Sequence, residues 1–159
     1  MARRSDIMRV AFDLDDTLIP GRVPFPVYPL PRNPIRRMFC CEPLRTGSVK
    51  LIGELQDLGH EVWIYTTSYR HPFRTKLMFR AYGARIRRVI NQSEHLRKMA
   101  EMNDIFQHCT KFPPAFGINL LVDECSGVVA ESQRFGFEVV QVQPDDPDWA
   151  AKVLERVSR

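Results

Sequence analysis

The sequence has no apolar run that approaches the length of a membrane span. A bilayer-spanning helix needs about 20 predominantly apolar residues, and every apolar stretch here is shorter. The first residues include two arginines, and they lack the apolar core and cleavage site of a secretory signal. We therefore expect a cytoplasmic protein with no membrane partner.

Cysteine is scarce as well. The four cysteines, at positions 40, 41, 109 and 125, include no Cys-x-x-Cys pair with the spacing of a zinc site. A chain of 159 residues is long enough to build a core without a disulfide scaffold. We predict reduced thiols at the adjacent Cys40 and Cys41 and assign no role to Cys125.

Acidic residues are missing from two long stretches, positions 17–41 and 62–93, in a chain of net charge +4. One interpretation is a solvated basic face without a function. The other is an electropositive rim that attracts an anionic substrate. The first stretch holds the arginines that would form such a rim: Arg22, Arg32, Arg36 and Arg37.

Strand-like and helix-like segments alternate along the rest of the chain. Apolar runs predict strands at 7–12, 61–66, 86–90, 118–122 and 138–142. Helices are predicted at 47–58, 72–82, 93–108 and 128–135, with a last helix from 147 onward. Ser48 and Ser93 are the expected caps of two of them. This alternation predicts an α/β domain whose parallel sheet is covered by helices on both faces.

One segment breaks the alternation. Residues 20–43 hold seven of the twelve prolines and show no clear period. The segment is too long for a simple connection, which predicts a functional loop or small flap insert at about 19–47. No internal repeat or second domain is visible, so residues 1–159 are predicted to form a single domain.

Paired carboxylates follow the first predicted strand. In sheets of this type, ligands bind beyond the carboxyl ends of the strands. Asp13 and Asp15 are two residues apart, so in an extended segment they point the same way and can address one substrate. One carboxylate can attack phosphorus and form an aspartyl-phosphate, while the other transfers protons. A turn with helix-capping aspartates is the alternative.

Two later strands also end in polar groups. Thr66 and Thr67 end the second strand, where hydroxyl and backbone N–H groups can hold phosphate oxygens. Asp123 and Glu124 close the strand at 118–122. A buried carboxylate pair needs a partner, and Mg²⁺ is a natural one because it prefers oxygen ligands.

A lysine near these groups would offset the charge of nucleophile and phosphate. Lys111 lies twelve residues before Asp123 and is the first candidate. Lys98 and Lys76 are competitors that the sequence does not eliminate.

Together these residues resemble the haloacid dehalogenase superfamily. The run Asp-Leu-Asp-Asp-Thr-Leu at 13–18 resembles its first motif, and Thr66, Lys111 and Asp123-Glu124 resemble the second, third and fourth motifs in the expected order. The resemblance covers about residues 7–143. It implies a three-layer Rossmann-like fold whose central parallel five-stranded sheet has the order 5-4-1-2-3.

The resemblance also implies a set of roles. Asp13 would be the nucleophile and Asp15 the general acid and base, as in the phosphatase branch of the superfamily. Thr66 would bind phosphate and Lys111 would stabilise its charge. Mg²⁺ would be held by Asp13, the backbone carbonyl of Asp15 and Asp123. Glu124 stands where many members have aspartate, and we include it as a further ligand, either directly or through a water.

The expected substrate is an anionic phosphate ester in an open site. The insert is too small for a large cap domain, so a nucleotide, a nucleic acid or a phosphoprotein could enter. The candidate substrate-binding residues are Thr67, Arg36, Arg37 and Arg70. The oligomeric state is not predicted.

Two other functions remain open. A phospho-aspartate signalling domain also uses aspartates, a threonine and a lysine, but no suitable aspartate ends the predicted strand at 86–90. A nucleic-acid-binding module with weak catalysis would use the basic rim and nearby aromatic residues. These aromatics are Phe25, Tyr28, Phe39, Tyr69 and Phe73, and at such spacings aromatics more often belong to the core.

Overall fold

The computed structural model describes residues 7–102 and 104–159. Five parallel strands form one sheet in the order β3-β2-β1-β4-β5. Read from the other edge, this is the predicted order 5-4-1-2-3, so the predicted α/β Rossmann-like fold is confirmed. The strands are β1 Arg9–Phe12, β2 Glu61–Tyr65, β3 Arg88–Ile90, β4 Leu120–Asp123 and β5 Val139–Gln141.

In the described residues, six α-helices lie between the strands or after the last one. They are α1 Pro34–Phe39, α2 Ser48–Asp57, α3 Pro72–Tyr82, α4 Gln92–Ala100, α5 Ser126–Phe135 and α6 Trp149–Val157. No helix in the described part of the chain is long and apolar enough to cross a bilayer.

The central strand β1 faces a separate core on each side of the sheet. Val10 and Phe12 point into the larger core, with residues of α2 and α6, while Ala11 faces the opposite core with Trp63 and Tyr65. This split follows from the strand period of two. Because both faces of β1 are buried, the strand reads as a continuous apolar run, as parallel strands do.

Two predicted helix caps were wrong. Asn91, not Ser93, caps α4, and its Oδ1 accepts from the Glu94 N–H at 3.0 Å. Ser48 is the first residue of α2, and its hydroxyl donates to the Arg45 carbonyl. The residue before α2 is Gly47 with φ of 91°, a left-handed conformation that favours glycine.

The helix predicted at 93–108 was too long. α4 ends at Ala100, and a short 3₁₀ turn follows at 104–106. Phe106 then stacks on Phe112 with ring centroids 4.4 Å apart. The chain has to turn back after Ala100 to make this contact, and a helix continued to residue 108 would prevent it.

The insert at about 19–47 contains a helix that the sequence pattern did not predict. α1 is short, and Asn33 caps it by accepting from the Ile35 N–H at 2.9 Å. The end of the insert is fixed by Arg45, which is 3% exposed and lies over the ring of Trp149 at 4.6 Å. Arg45 also donates to the carbonyl of Gln143 at 2.8 Å, so the insert is tied to the segment after β5.

Candidate active site

Adjacent strands bring the two central carboxylates together. β1 pairs with β4, and the Asp13 N–H directly after β1 donates to the Val122 carbonyl at 2.8 Å. Asp123 is the last residue of β4. The two aspartates therefore lie side by side at the carboxyl edge of the sheet, 5% and 0% exposed.

Lys111 lies between these carboxylates. Its Nζ is 2.5 Å from Asp13 Oδ1 and 2.6 Å from Asp123 Oδ2, and its side chain is 3% exposed. The competing lysines lie elsewhere: Lys98 pairs with Glu101, and Lys76 donates to the Arg87 carbonyl. Of the three lysines that the sequence left open, the structure brings Lys111 to the carboxylates.

Glu124 adds a third carboxylate. Oxygens of Asp13, Asp123 and Glu124 all lie within 4.8 Å of one another. Thr17, a residue that the sequence reasoning missed, donates its hydroxyl to Glu124 Oε2 at 3.0 Å. Thr17 is fully buried, so this hydrogen bond fixes the Glu124 side chain toward the cluster.

The electrostatics of the cluster show an excess of negative charge. Burial raises the pKa of Asp13 to about 7, against the lowering effect of the Lys111 charge. Burial also raises the pKa of Glu124, and the charge of Asp123 adds to this effect. Burial alone would lower the pKa of Lys111, but the two aspartates outweigh it and raise the pKa overall. One ammonium thus faces three carboxylates.

This donor set fits a hard divalent cation. Mg²⁺ is bound by carboxylate oxygens together with water and substrate oxygens, and a cation would compensate the charge that Lys111 leaves unbalanced. Asp13, Asp123 and Glu124 are the side chains that could hold it. The Asp15 backbone carbonyl stays a predicted ligand.

The side chain of Asp15 lies outside the cluster, at the mouth of the site. Its Oδ2 accepts from Arg70 Nη1 at 2.8 Å, and the side chain is 45% exposed. The other Arg70 nitrogens bind both oxygens of Glu42, at 2.8 and 2.6 Å. The bonds to Glu42 and Asp15 raise the pKa of Arg70. Arg70 therefore joins the loop after β2, the candidate acid and base, and the end of the insert.

The predicted phosphate-binding loop follows β2 at the same edge. Thr66 is fully buried, and its backbone N–H donates to the Ile90 carbonyl at 2.9 Å. Its Oγ1 accepts from the Ser68 N–H at 3.1 Å and donates to the Ser68 hydroxyl. Thr67 is exposed. β2 lies next to β1, so this loop is one strand away from Asp13.

A buried hydrogen-bond chain holds the segment that carries Lys111. The Phe112 N–H donates to Tyr65 Oη at 2.9 Å, and Tyr65 Oη lies 2.6 Å from His95 Nδ1. His95 Nε2 lies 3.0 Å from the Cys109 carbonyl. A neutral His95 that carries its proton on Nε2 satisfies all three bonds. The sequence reasoning missed this chain, because its members are up to 47 residues apart.

The arginines of the insert are not drawn into the carboxylate cluster. Arg36 and Arg37 occupy the last turn of α1 and are exposed, and Arg22 pairs with Asp16. The aromatic residues divide into two groups. Phe25 is buried and Tyr28 packs against the core, whereas three others are exposed: Phe39 by 39%, Tyr69 by 69% and Phe73 by 63%.

Comparison with known proteins adds support for the fold. No protein-family model and no curated protein matches the sequence. A solved structure of the Pnkp1/Rnl/Hen1 complex is similar, with a TM-score of 0.51 and 15% identity over 89% of this chain and 48% of that chain. A structure of the Pnkp1/Rnl/Hen1 RNA repair complex is similar as well, with a TM-score of 0.52 and 15% identity over 89% and 44%.

This chain therefore spans about half the length of the solved chains that it matches. At this level of identity the similarity supports the α/β fold and no more.

Proposed function

We propose that this chain is a Mg²⁺-dependent phosphohydrolase of the haloacid dehalogenase type, which cleaves phosphate monoesters through an aspartyl-phosphate at Asp13. The observation that carries the proposal is the pair of buried aspartates, Asp13 and Asp123, bridged by Lys111, with the half-buried Glu124 beside them. Such an excess of carboxylates is costly without a cation. It lies at the sheet edge where ligands bind in folds of this class.

In the first half-reaction a carboxylate oxygen of Asp13 attacks phosphorus. The bond from phosphorus to the ester oxygen breaks, and Asp15 gives a proton to the departing oxygen. In the second half-reaction Asp15 takes a proton from water, the water oxygen attacks phosphorus, and the acyl-phosphate bond breaks. Asp13 is regenerated and inorganic phosphate leaves.

The remaining residues supply charge and position. Lys111 stabilises charge on Asp13 and on the phosphoryl oxygens. Thr66 holds a phosphoryl oxygen. Arg70 keeps Asp15 at the mouth of the site, where the leaving oxygen would emerge. Bound Mg²⁺ would neutralise charge on the carboxylates and the phosphoryl group.

A signalling domain is the weaker candidate. The position after β3 that would need a phosphorylatable aspartate is Asn91, whose side chain caps α4. A phosphorylated Asp13 that persisted in Mg²⁺ without hydrolysis would nevertheless favour the signalling function.

The substrate class follows from charge and from fold relatives. The two basic stretches without acidic residues, 17–41 and 62–93, favour an anionic phosphate ester. One of the similar solved structures is that of an RNA repair complex. Phosphorylated nucleic acids, nucleotides and phosphoproteins are therefore the substrates to test. We also propose a cytoplasmic setting, because all four cysteines are free thiols.

The direct test is a substrate panel with and without metal. Phosphorylated metabolites, nucleotides and end-phosphorylated oligonucleotides are incubated with Mg²⁺ and, in parallel, with EDTA. We expect phosphate release that requires Mg²⁺. Full activity after exhaustive chelation would contradict the proposed mechanism.

A further inference from the structure

Several large side chains on α1 and at the start of α3 are exposed to solvent. Ile35 and Met38 on α1 are 67% and 76% exposed, and Tyr69 and Phe73 beside and within α3 are 69% and 63% exposed. α1 packs against α3. We call the surface of these two elements the α1–α3 face. Single exposed apolar side chains are ordinary, but grouped ones mark binding surfaces.

The α1–α3 face adjoins the candidate active site through Arg70. Arg70 follows Tyr69 in the chain and contacts Asp15 at 2.8 Å. It also binds Glu42, which lies three residues after the end of α1. Both elements of the face therefore come within a few residues of a side chain that contacts the candidate acid and base.

The α1–α3 face is also basic. Arg36, Arg37 and Arg74 are exposed, and within the described residues none of them has a carboxylate partner. Positions 17–41 and 62–93 contain no acidic residue. The nearest acid in the sequence, Glu42, has both carboxylate oxygens bound to Arg70. The positive charge of the face is therefore uncompensated.

We infer that the α1–α3 face binds a single-stranded nucleic acid whose terminal phosphate enters the carboxylate site. This inference rests on the proposed phosphatase function and narrows its substrate class. Exposed rings beside arginines suit a strand, because bases stack on the rings while the backbone phosphates meet the guanidinium groups. An acidic phosphopeptide would meet the same arginines but would give Tyr69 and Phe73 no stacking partner.

Binding is measured first, without turnover. Fluorescently labelled single-stranded RNA and DNA with a terminal phosphate are titrated with the protein in EDTA, and anisotropy is followed at several salt concentrations. We expect the logarithm of the affinity to fall linearly with the logarithm of salt, as phosphate binding requires. The triple variant Arg36→Gln, Arg37→Gln, Arg74→Gln should reduce that slope by roughly one for each phosphate that an arginine no longer neutralises.

The rings are tested separately. Tyr69→Ala combined with Phe73→Ala should weaken oligonucleotide binding by roughly 5- to 150-fold for each base that no longer stacks on a ring. Leu58→Ala is the matched control. Leu58 is 51% exposed and lies just before β2, so it is near the amino-terminal ends of the strands, away from the candidate active site at their carboxyl ends. Arg87→Gln is the control for charge, because Arg87 lies just before β3, also at the amino-terminal ends of the strands. Both controls should bind as the wild type does.

Turnover measurements test whether the α1–α3 face binds substrates that react in the candidate active site. For each variant the ratio of kcat/KM for an end-phosphorylated oligonucleotide to kcat/KM for phenyl phosphate is compared. The ring variant should lower this ratio at least fivefold, and Leu58→Ala should leave it unchanged. An unchanged ratio in the ring variant, or tighter binding of a phosphopeptide of equal charge, would overturn the inference. If the protein hydrolysed no phosphate ester, the proposed phosphatase function would be refuted. The binding measurements would still test whether the α1–α3 face binds nucleic acid.

Discussion

At the scale of single residues, the central feature is the excess of negative charge in the cluster of Asp13, Asp123, Glu124 and Lys111. Lys111 neutralises one of three carboxylates, of which Asp13 and Asp123 are buried and Glu124 is half-buried. Burial and the neighbouring carboxylates raise the pKa values of Asp13 and Glu124, so the remaining negative charge is unfavourable. A buried charge without a partner costs several kcal/mol. A bound divalent cation would relieve this repulsion and could then hold an anionic phosphate, which is why the cluster is interpreted as a reaction site and not as a structural ion pair.

Glu124 gives the first prediction at this scale. Glu124→Asp keeps a carboxylate and should keep activity, whereas Glu124→Ala removes a ligand and should raise the Mg²⁺ concentration for half-maximal rate about 10- to 100-fold, as losses around a metal site do. Thr17→Val, which removes the hydroxyl that holds Glu124, should give a smaller shift in the same direction. Initial rates against Mg²⁺ concentration measure all three. An unaltered metal dependence in Glu124→Ala would remove Glu124 from the metal site.

The sequence was informative about the residues that end strands. Asp13 and Asp123 could be placed together because the ends of parallel strands share one edge of the sheet. The role of Thr17 could not be foreseen, because its partner Glu124 is 107 residues away and nothing local marks the contact. Whether Lys111, Lys98 or Lys76 reaches the cluster likewise depends on tertiary packing.

At the scale of elements, the hydrogen-bond chain joins β2, α4 and the segment at 109–112. Tyr65 and His95 are 0% and 2% exposed and hold the backbone on both sides of Lys111. Burial lowers the pKa of His95. Protonation of Nδ1 would remove the acceptor for the Tyr65 hydroxyl, so the chain needs neutral His95.

A pH dependence of stability follows from this burial. The folded pKa of His95 lies below the unfolded value of 6.5, so between the two values the unfolded chain binds more protons. The free energy of unfolding should therefore be insensitive to this group well above pH 6.5 and should fall as pH drops toward the folded pKa, by at most about 1.4 kcal/mol per pH unit for one histidine. Urea unfolding at a series of pH values measures the net change, to which Asp13 and Glu124 add contributions of the opposite sign, because burial raises their pKa values in the folded state.

Variants separate His95 from the other groups that titrate. Buried His60, whose pKa is also lowered by burial, contributes a decline of the same sign. In His95→Phe, the part of the pH-dependent decline in unfolding free energy that comes from His95 should be absent, even if the variant is less stable at every pH. His71→Asn, at an exposed position, should keep the pH dependence of the wild type, including the opposing contributions of Asp13 and Glu124. Glu131 and Lys111 also act on the charge of His95, and both remain in every variant. A wild-type slope in His95→Phe would contradict this account.

Elements with a strong local pattern were predictable and the others were not. α3 begins at Pro72 and ends at Tyr82 before Gly83, as the sequence predicts. α1 has only six residues and buries none of them, so the sequence has no apolar periodicity that would predict this helix. Its local signal is Asn33 followed by Pro34, a cap and a first helical residue. α4 ends at Ala100, before the turn that stacks Phe106 on Phe112, and the helical period of the sequence does not show this turn.

At the scale of the whole molecule, the site is built from segments far apart in the chain, so the proposed metal binding should be linked to folding. The unfolded chain has no preformed cluster, so a cation should stabilise the folded state. Mg²⁺ at a hundred times its Kd should add about 2.7 kcal/mol, which is roughly 5–10 °C in Tm for a domain of this size.

Calorimetry or differential scanning fluorimetry with Mg²⁺ and with EDTA tests this linkage. Asp123→Asn removes one ligand charge and should shrink the Mg²⁺-induced rise in Tm, whatever its own baseline stability. Lys98→Gln, at the surface, should leave the rise as it is in the wild type. Equal rises in Asp123→Asn and the wild type would place the cation elsewhere.

The most direct measurement of the central claim is the site of phosphorylation during turnover. Protein mixed with an aryl phosphate and Mg²⁺ is quenched in acid within a single turnover, and the phosphorylated peptide is identified by mass spectrometry. Asp15→Asn should accumulate the phosphoenzyme, because an aryl leaving group needs no acid to depart while the attacking water loses its base. Asp13→Asn should yield no phosphoenzyme and almost no turnover. We predict phosphate on Asp13 alone; phosphate on any other residue, or wild-type rates in Asp13→Asn, would contradict the mechanism.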